Sequence, residues 1–228
     1  ATVPTVAITA VSPDPRNVPV GSITIVFSEA VTGFNLADLS LTRDGGSNLL
    51  TGSQTLTTSD NITFTLTNLT TITGPQGAYL LTLTASDSGI VDQANNAIAS
   101  NATDSWTMDT TALTADITDV TPDPRNNSVS TITIVFSEPV TGFALNDLTL
   151  TRDGGGNLLT GSQTLTTSDN MTWTLGNLSG LTGTQGTYLL SLAASSSGII
   201  DAATNGLAAD ASDTWVVDTT APTADIVD

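Results

Sequence analysis

The sequence predicts an all-β protein made of two tandem β-sandwich domains, and three observations predict it. Self-similarity runs at one fixed offset: Asp123 follows Asp14 by 109 residues, Trp215 follows Trp106 by 109, and Asp218 follows Asp109 by 109, with no gap between. A fixed period of this kind marks a tandem array of whole modules. Within each copy, short alternating segments are broken by clusters of Gly, Pro, Asn and Asp, the pattern of strands and turns. No stretch carries the apolar period of an amphipathic helix.

In the first copy Val6–Val11 alternates and stops at Ser12-Pro13-Asp14-Pro15-Arg16-Asn17, where two prolines forbid a central strand. Ser22–Ser28 is β-branched and strand-like. Glu29–Phe34 turns the chain, with room for a turn of helix near Phe34–Asp38, and Leu36–Arg43 alternates Leu with polar residues. Asp44-Gly45-Gly46 supplies residues that tolerate positive φ and predicts a tight turn. Gln54–Thr58 and Ile62–Leu66 flank Ser59-Asp60-Asn61 as a hairpin, and Ala78–Ala85 follows with Tyr79, Leu81 and Leu83 on one side. A long loop, Ser86–Ala102, precedes the closing strand Asp104–Met108. The second copy repeats this with conservative changes, Phe64 becoming Trp173 and Val91 becoming Ile200. About seven strands in a module of this length predict a two-sheet, immunoglobulin-like sandwich. The expected domains are residues 1–109 and 110–218. Residues 219–228 then open a third copy or supply a strand to a neighbouring molecule.

The segments Phe27–Leu39 (Phe-Ser-Glu-Ala-Val-Thr-Gly-Phe-Asn-Leu-Ala-Asp-Leu) and Phe136–Phe143 (Phe-Ser-Glu-Pro-Val-Thr-Gly-Phe) carry a further signal, as does the seam Asp218-Thr219-Thr220-Ala221-Pro222. Together they resemble the bacterial Ig-like tandem repeats of large surface proteins and adhesins, over essentially the whole chain. The resemblance implies an extracellular protein, at a bacterial cell surface or secreted, whose modules adjoin other repeats or identical subunits.

Composition excludes several chemistries. The chain has no His, no Cys and no Lys; its four cations are Arg16, Arg43, Arg125 and Arg152. Catalytic triads, thiol nucleophiles, zinc clusters and Schiff bases are therefore out of reach. Glu29 and Glu138 are the only glutamates and no aromatic-lined cleft is suggested, so a glycosidase-like acid pair is not expected and the chain reads as no enzyme. A net charge of −18 argues against nucleic acid and anionic lipid, and for cations. Apolar runs are too short for a membrane span. No basic-then-apolar leader opens the chain, so a signal peptide is expected to have been removed or to lie upstream. Trp106, Trp173 and Trp215 alternate with polar neighbours, which makes them core residues rather than sugar platforms.

The acids fall in a telling order. In an up-and-down sandwich the chain comes in at one end, the near pole, and leaves at the other, the far pole. Asp14 after the first strand and Asp109 after the last belong to the far pole of the first copy. Glu138 after Phe136 and Asp201 before the last strand belong to the near pole of the second. Topology alone thus predicts that Asp14, Asp109, Glu138 and Asp201 converge on one junction. Two such charges ~5 Å apart repel by roughly 3 kcal/mol at an effective dielectric of ~20. A divalent cation removes that cost, and an all-oxygen donor set suits Ca2+. Backbone carbonyls of Asp109–Thr111 could join the set. The equivalent acids are Glu29 and Asp92 toward an upstream copy, and Asp123 and Asp218 toward a downstream one. Calcium-stiffened junctions are also what the resemblance implies. The plainer reading makes these acids turn residues and solubilising charge, with Asp92–Asn96 and Asp201–Asn205 closing turns through side-chain to backbone bonds. The expected function is a structural segment of a stalk, filament or adhesin array. The alternatives are a surface module with a cell-surface or glycan ligand, and a filament subunit joined by strand addition.

Overall fold

The structure is a computed structural model and describes residues 2–226. The chain divides into two compact units, Ala1–Thr111 and Ala112–Asp228.

In the first unit the strands are β1 (Val6–Ile8), β2 (Ser22–Phe27), β3 (Val31–Thr32), β4 (Leu39–Arg43), β5 (Thr55–Thr58), β6 (Thr63–Thr67), β7 (Gly77–Leu83), β8 (Val91–Asp92) and β9 (Ala102–Met108). One turn of 3-10 helix, Leu36–Asp38, leads into β4. Asn35 caps it: its side chain accepts from Ala37 N, while the Asp38 carboxylate accepts from Asn35 N at 2.8 Å. All pairing is antiparallel within two main sheets, ordered β1-β2-β6-β5 and β4-β7-β9, with β3-β8 as a small third pair. Strand alternation puts Ile23, Ile25 and Phe27 of β2 and Leu66 of β6 against Leu41 of β4, Leu81 of β7 and Trp106 of β9, all buried. Between them these strands close one core. Trp106 stacks on its cross-strand neighbour Tyr79, ring centroids 5.2 Å apart and nearly parallel.

After β1 the chain leaves the first sheet. Arg16 pairs in parallel with Met108 at the end of β9, through Arg16 N to Thr107 O at 3.0 Å and Asp109 N to Arg16 O at 2.8 Å. The two prolines on either side of Asp14 make this crossing a non-ladder segment, and both of their peptide bonds are cis.

The second unit repeats the arrangement with β10 (Ala115–Ile117), β11 (Ile132–Phe136), β12 (Leu148–Arg152), β13 (Thr164–Thr167), β14 (Thr172–Gly176), β15 (Gly186–Leu192) and β16 (Ala211–Val217). Its sheets are β10-β11-β14-β13 and β12-β15-β16. It has its own buried core, in which Trp215 stacks on Tyr188 at 5.4 Å. Trp173, in the place of Phe64, lies half-buried edge-on to Phe143 at 5.2 Å.

Each unit uses a tyrosine to hold the loop before the middle strand of its three-stranded sheet, β7 in the first and β15 in the second. Tyr79 donates its hydroxyl to Pro75 O at 2.6 Å, with Ile72 O at 3.2 Å. Tyr188 donates likewise to Thr184 O at 2.8 Å, with Leu181 O at 3.2 Å. Such a Tyr bond back to the preceding corner is a hallmark of immunoglobulin-type sandwiches. Residues 218–226 form no strand, and Ile226 is 89% exposed. Val227 and Asp228, the end of the expected third-copy strand, lie outside the described residues, as does Ala1.

Asp213 is a buried acid that makes no salt bridge among the described residues. Asp213 on β16 is 8% exposed and accepts from Val120 N at 3.0 Å, tying the crossing segment to the last strand as Asp104 does for Val11. Burial pushes its carboxyl above the usual range, opposed by the Val120 bond and reinforced by the charges of Asp119 and Asp123. An acid raised in the folded state binds its proton there first. Its penalty is thus full above the folded value and lifts as pH falls through it. The stability of wild type relative to D213N should therefore be flat above the raised folded value and rise as pH falls from there toward about pH 4, the ordinary carboxylate pKa, read from denaturant midpoints of the second unit.

Candidate functional site

Turn chemistry carries the acids to the poles of each unit. At the far pole of the first, Asp14 sits on the crossing segment and accepts from Thr107 N at 2.8 Å. Asp109 follows β9, and its Oδ1 accepts from Thr111 N at 2.9 Å. At the far pole of the second unit Asp123 accepts from Val216 N at 2.8 Å, and Asp218 accepts from Thr220 N at 2.9 Å. The Thr220 contacts hold the Asp218 carboxyl below the usual carboxylate range, backbone bond first. Asp123 and Asp218 line one surface depression together with Asp153, Gln185 and Thr220.

Asp153 and its counterpart Asp44 are acids that the sequence reading leaves as turn residues only. Asp44 accepts from Ala78 N at 2.8 Å and Asp153 from Thr187 N at 2.9 Å, which brings the Asp-Gly-Gly turn to the far pole. The signal available was the turn's position at the end of a strand running toward that pole.

At the near pole of the first unit Asp92 pairs across from Val31, and Glu29 accepts from Thr2 Oγ1 at 3.4 Å. Asp92 is buried, and its own loop supplies three donors: Ala94 N and Asn96 N to Oδ1, both at 2.8 Å, and Asn96 Nδ2 to Oδ2 at 2.7 Å. These bonds, the Asn96 side chain first, hold its carboxyl below the usual range. The stability they bring is present above about pH 4, near an ordinary carboxylate pKa, and is lost as pH falls through the folded value. Three donors use three of the roughly four acceptor positions of a carboxylate. In the second unit Asp201, also buried, is held by Asn205 N and Asn205 Nδ2, both at 2.9 Å. A carboxylate oxygen of Glu138 lies within 4.8 Å of one from Asp201. The expected near-pole pair of this unit is thus brought together.

The arginines have loop carbonyls or neighbouring acids as partners. Arg16 Nε donates to Val18 O at 2.6 Å, and Arg125 Nε to Asn127 O at 2.9 Å, so both brace the crossing loop. Arg43 and Arg152 pair with their neighbours Asp44 and Asp153 at 3.8 and 3.9 Å on the surface. No helix among the described residues is long and apolar enough to cross a membrane.

The strand order of each unit defines its class. The first, second, fifth and fourth of the seven main strands make one sheet, and the third, sixth and seventh the other, which is a tandem of immunoglobulin-like β-sandwiches. The sequence matches none of the protein families and none of the curated proteins with which it was compared. Similar solved structures include a titin fragment, a bacterial S-layer protein and a nectin-like ectodomain. An I-band fragment of titin is 13% identical with a TM-score of 0.36, over 94% of this chain and 63% of that one. The N-terminal part of the bacterial S-layer protein SbsC is 14% identical with a TM-score of 0.33, over 95% of this chain and 44% of that one. The full ectodomain of mouse nectin-like molecule 4 is 15% identical with a TM-score of 0.34, over 98% and 66%. This chain therefore spans under two thirds of the length of each.

Proposed function

We propose that this chain is a structural segment of an extracellular bacterial array of immunoglobulin-like modules, stiffened by calcium where one module meets the next. The observation that supports the reading is the sorting of duplicated acids to both poles of each unit. At each pole the aspartates are already oriented by backbone or loop donors. An all-oxygen donor set without nitrogen or sulfur fits calcium, and carboxylates of this density gain most from a divalent ion. On this reading Asp109 and Asp14 would meet Glu138 and Asp201 around one ion. Glu29 with Asp92, and Asp123 with Asp218, would do the same toward further copies. The chain's partners are then other repeats of its own kind.

Calcium titration of the whole chain, followed by melting with and without EDTA, tests this. At calcium about 100-fold above Kd the ion should add about 2.7 kcal/mol to the stability of the modules that share it. For an extracellular module Kd is expected at roughly 10⁻⁴–10⁻³ M. E138Q should abolish that increment while leaving the EDTA melting curve near wild type. A wild-type curve unmoved by calcium refutes the stiffening mechanism.

A further inference from the structure

We propose that Gln76 and Gln185 are clamps that fix the Asp-Thr-Thr seam onto its own sandwich before any neighbour or ion is engaged. In the first unit the Thr110 hydroxyl donates to Gln76 Oε1 at 3.3 Å, and Gln76 Nε2 donates to Thr111 Oγ1 at 2.9 Å. One carboxamide thus grips both threonines that follow the last strand. The backbone beside them is held as well, by Asp109 N to Arg16 O at 2.8 Å and Thr111 N to Asp109 Oδ1 at 2.9 Å. In the second unit Gln185 Oε1 accepts from the Thr219 hydroxyl at 3.3 Å and the Thr220 hydroxyl at 3.1 Å, while Asp218 again accepts from Thr220 N. Each unit builds its clamp entirely from its own residues.

The glutamine could grip nothing if its own loop were loose, and its flanks explain why it is not. On one side the Pro75 carbonyl takes the hydroxyl of Tyr79, whose ring is buried in the core. On the other side Gly77 is held at φ +146, with Asp44 Oδ2 only 2.6 Å from where a Cβ would stand. Thr184 and Gly186 repeat both features around Gln185: Thr184 O takes the Tyr188 hydroxyl at 2.8 Å, and Gly186 lies at φ +148 with Asp153 Oδ2 at 2.6 Å. With its backbone already fixed at both ends, only the glutamine's own torsions remain to be ordered when it bonds, and two hydroxyl contacts share that cost. The clamp ties core packing to the direction in which the chain leaves the sandwich. It requires no ion, and so stands apart from the calcium reading.

The test is ¹⁵N relaxation on the full two-unit chain in EDTA. In wild type the amides of Thr110, Thr111, Thr219 and Thr220 should show order parameters of ~0.85, those of rigid backbone. Gln76→Ala should drop Thr110 and Thr111 below ~0.6 while Thr219 and Thr220 keep their values as an internal control. Replacing both hydroxyls, Thr110→Val with Thr111→Val, should reproduce that loss. Gln76→Glu, which keeps two acceptor oxygens on the same stem, should restore order. Gln76→Ala amides that stay rigid overturn the proposal. So does a wild-type seam that is loose in EDTA and stiffens only when calcium is added, a result that would leave the calcium reading standing.

Discussion

Trp215→Ala should lower the stability of the second unit by about 3–5 kcal/mol, the range for truncating a large buried aromatic. The ring is fully buried, stacks on Tyr188 and packs among residues of both sheets. Its indole N–H is buried with no acceptor among the described residues, so the loss is one of packing and not of a hydrogen bond. Trp215→Phe should therefore cost much less, because removing an unsatisfied donor offsets part of the lost volume. The first unit closes a core of its own around Trp106. A denaturation curve of the variant should then split, an early transition for the second unit preceding a late one at the wild-type position of the first. A single shifted transition would mean that the two cores do not unfold separately.

Gly142→Ala should cost the second unit about 3–4 kcal/mol, from a strained left-handed residue plus overpacking against backbone. Gly142 lies at φ +86, and a Cβ there would stand 2.4 Å from the carbonyl oxygen of Gly198. A backbone carbonyl cannot swing aside as a side chain can. The segment through Ile199 and Ile200, which pairs with Thr141, would have to move. Gly33 repeats the situation against Gly89, at φ +87 and 2.3 Å. By contrast Gly154→Ala, in the same unit as Gly142, meets no neighbour within 4 Å and should cost only the backbone term, about 1–2 kcal/mol. Thermal melting of the pair measures the difference between strain alone and strain with collision.

These glycines show what the sequence made legible and what it hid. The segment Glu29–Phe34 reads as a turn; in the structure Val31–Thr32 form the short strand β3 paired with β8, and the chain bends at Gly33. That its glycine exists to let a distant loop approach is a tertiary fact with no local trace. Strands whose one face meets the core were readable from alternation: Ser22–Ser28 is expected and Ser22–Phe27 is found, and the hairpin around Ser59-Asp60-Asn61 falls where its turn residues lie. The first strand was readable only in part. Val6–Val11 alternates throughout, yet β1 ends at Ile8, and the chain then crosses to pair with the last strand. Alternation cannot report which sheet a strand serves.

The same limit governs the site. The acids were sorted to poles by counting strand reversals, and within each unit Asp14 with Asp109 and Glu138 with Asp201 lie at the ends so assigned. Such counting finds neither Gln76 nor the Tyr79 hydroxyl, and it leaves Asp44 as a turn residue. A glutamine in a Gly/Pro loop has no pattern, and Tyr79 sits in phase with Leu81 and Leu83, where its ring explains its presence and its oxygen goes unnoticed.

The parallel contact of Arg16 with the end of β9 has a mechanical consequence. One strand of that contact continues from the incoming chain and the other runs straight to the outgoing one, so a pull on the two ends slides them past each other. The Arg16–Thr107 and Asp109–Arg16 bonds lie across that direction and must fail together in shear, instead of opening one by one like a zipper. Once β1 has left β2, a module loaded this way resists extension at this contact, before tension reaches the stacked aromatic rings inside.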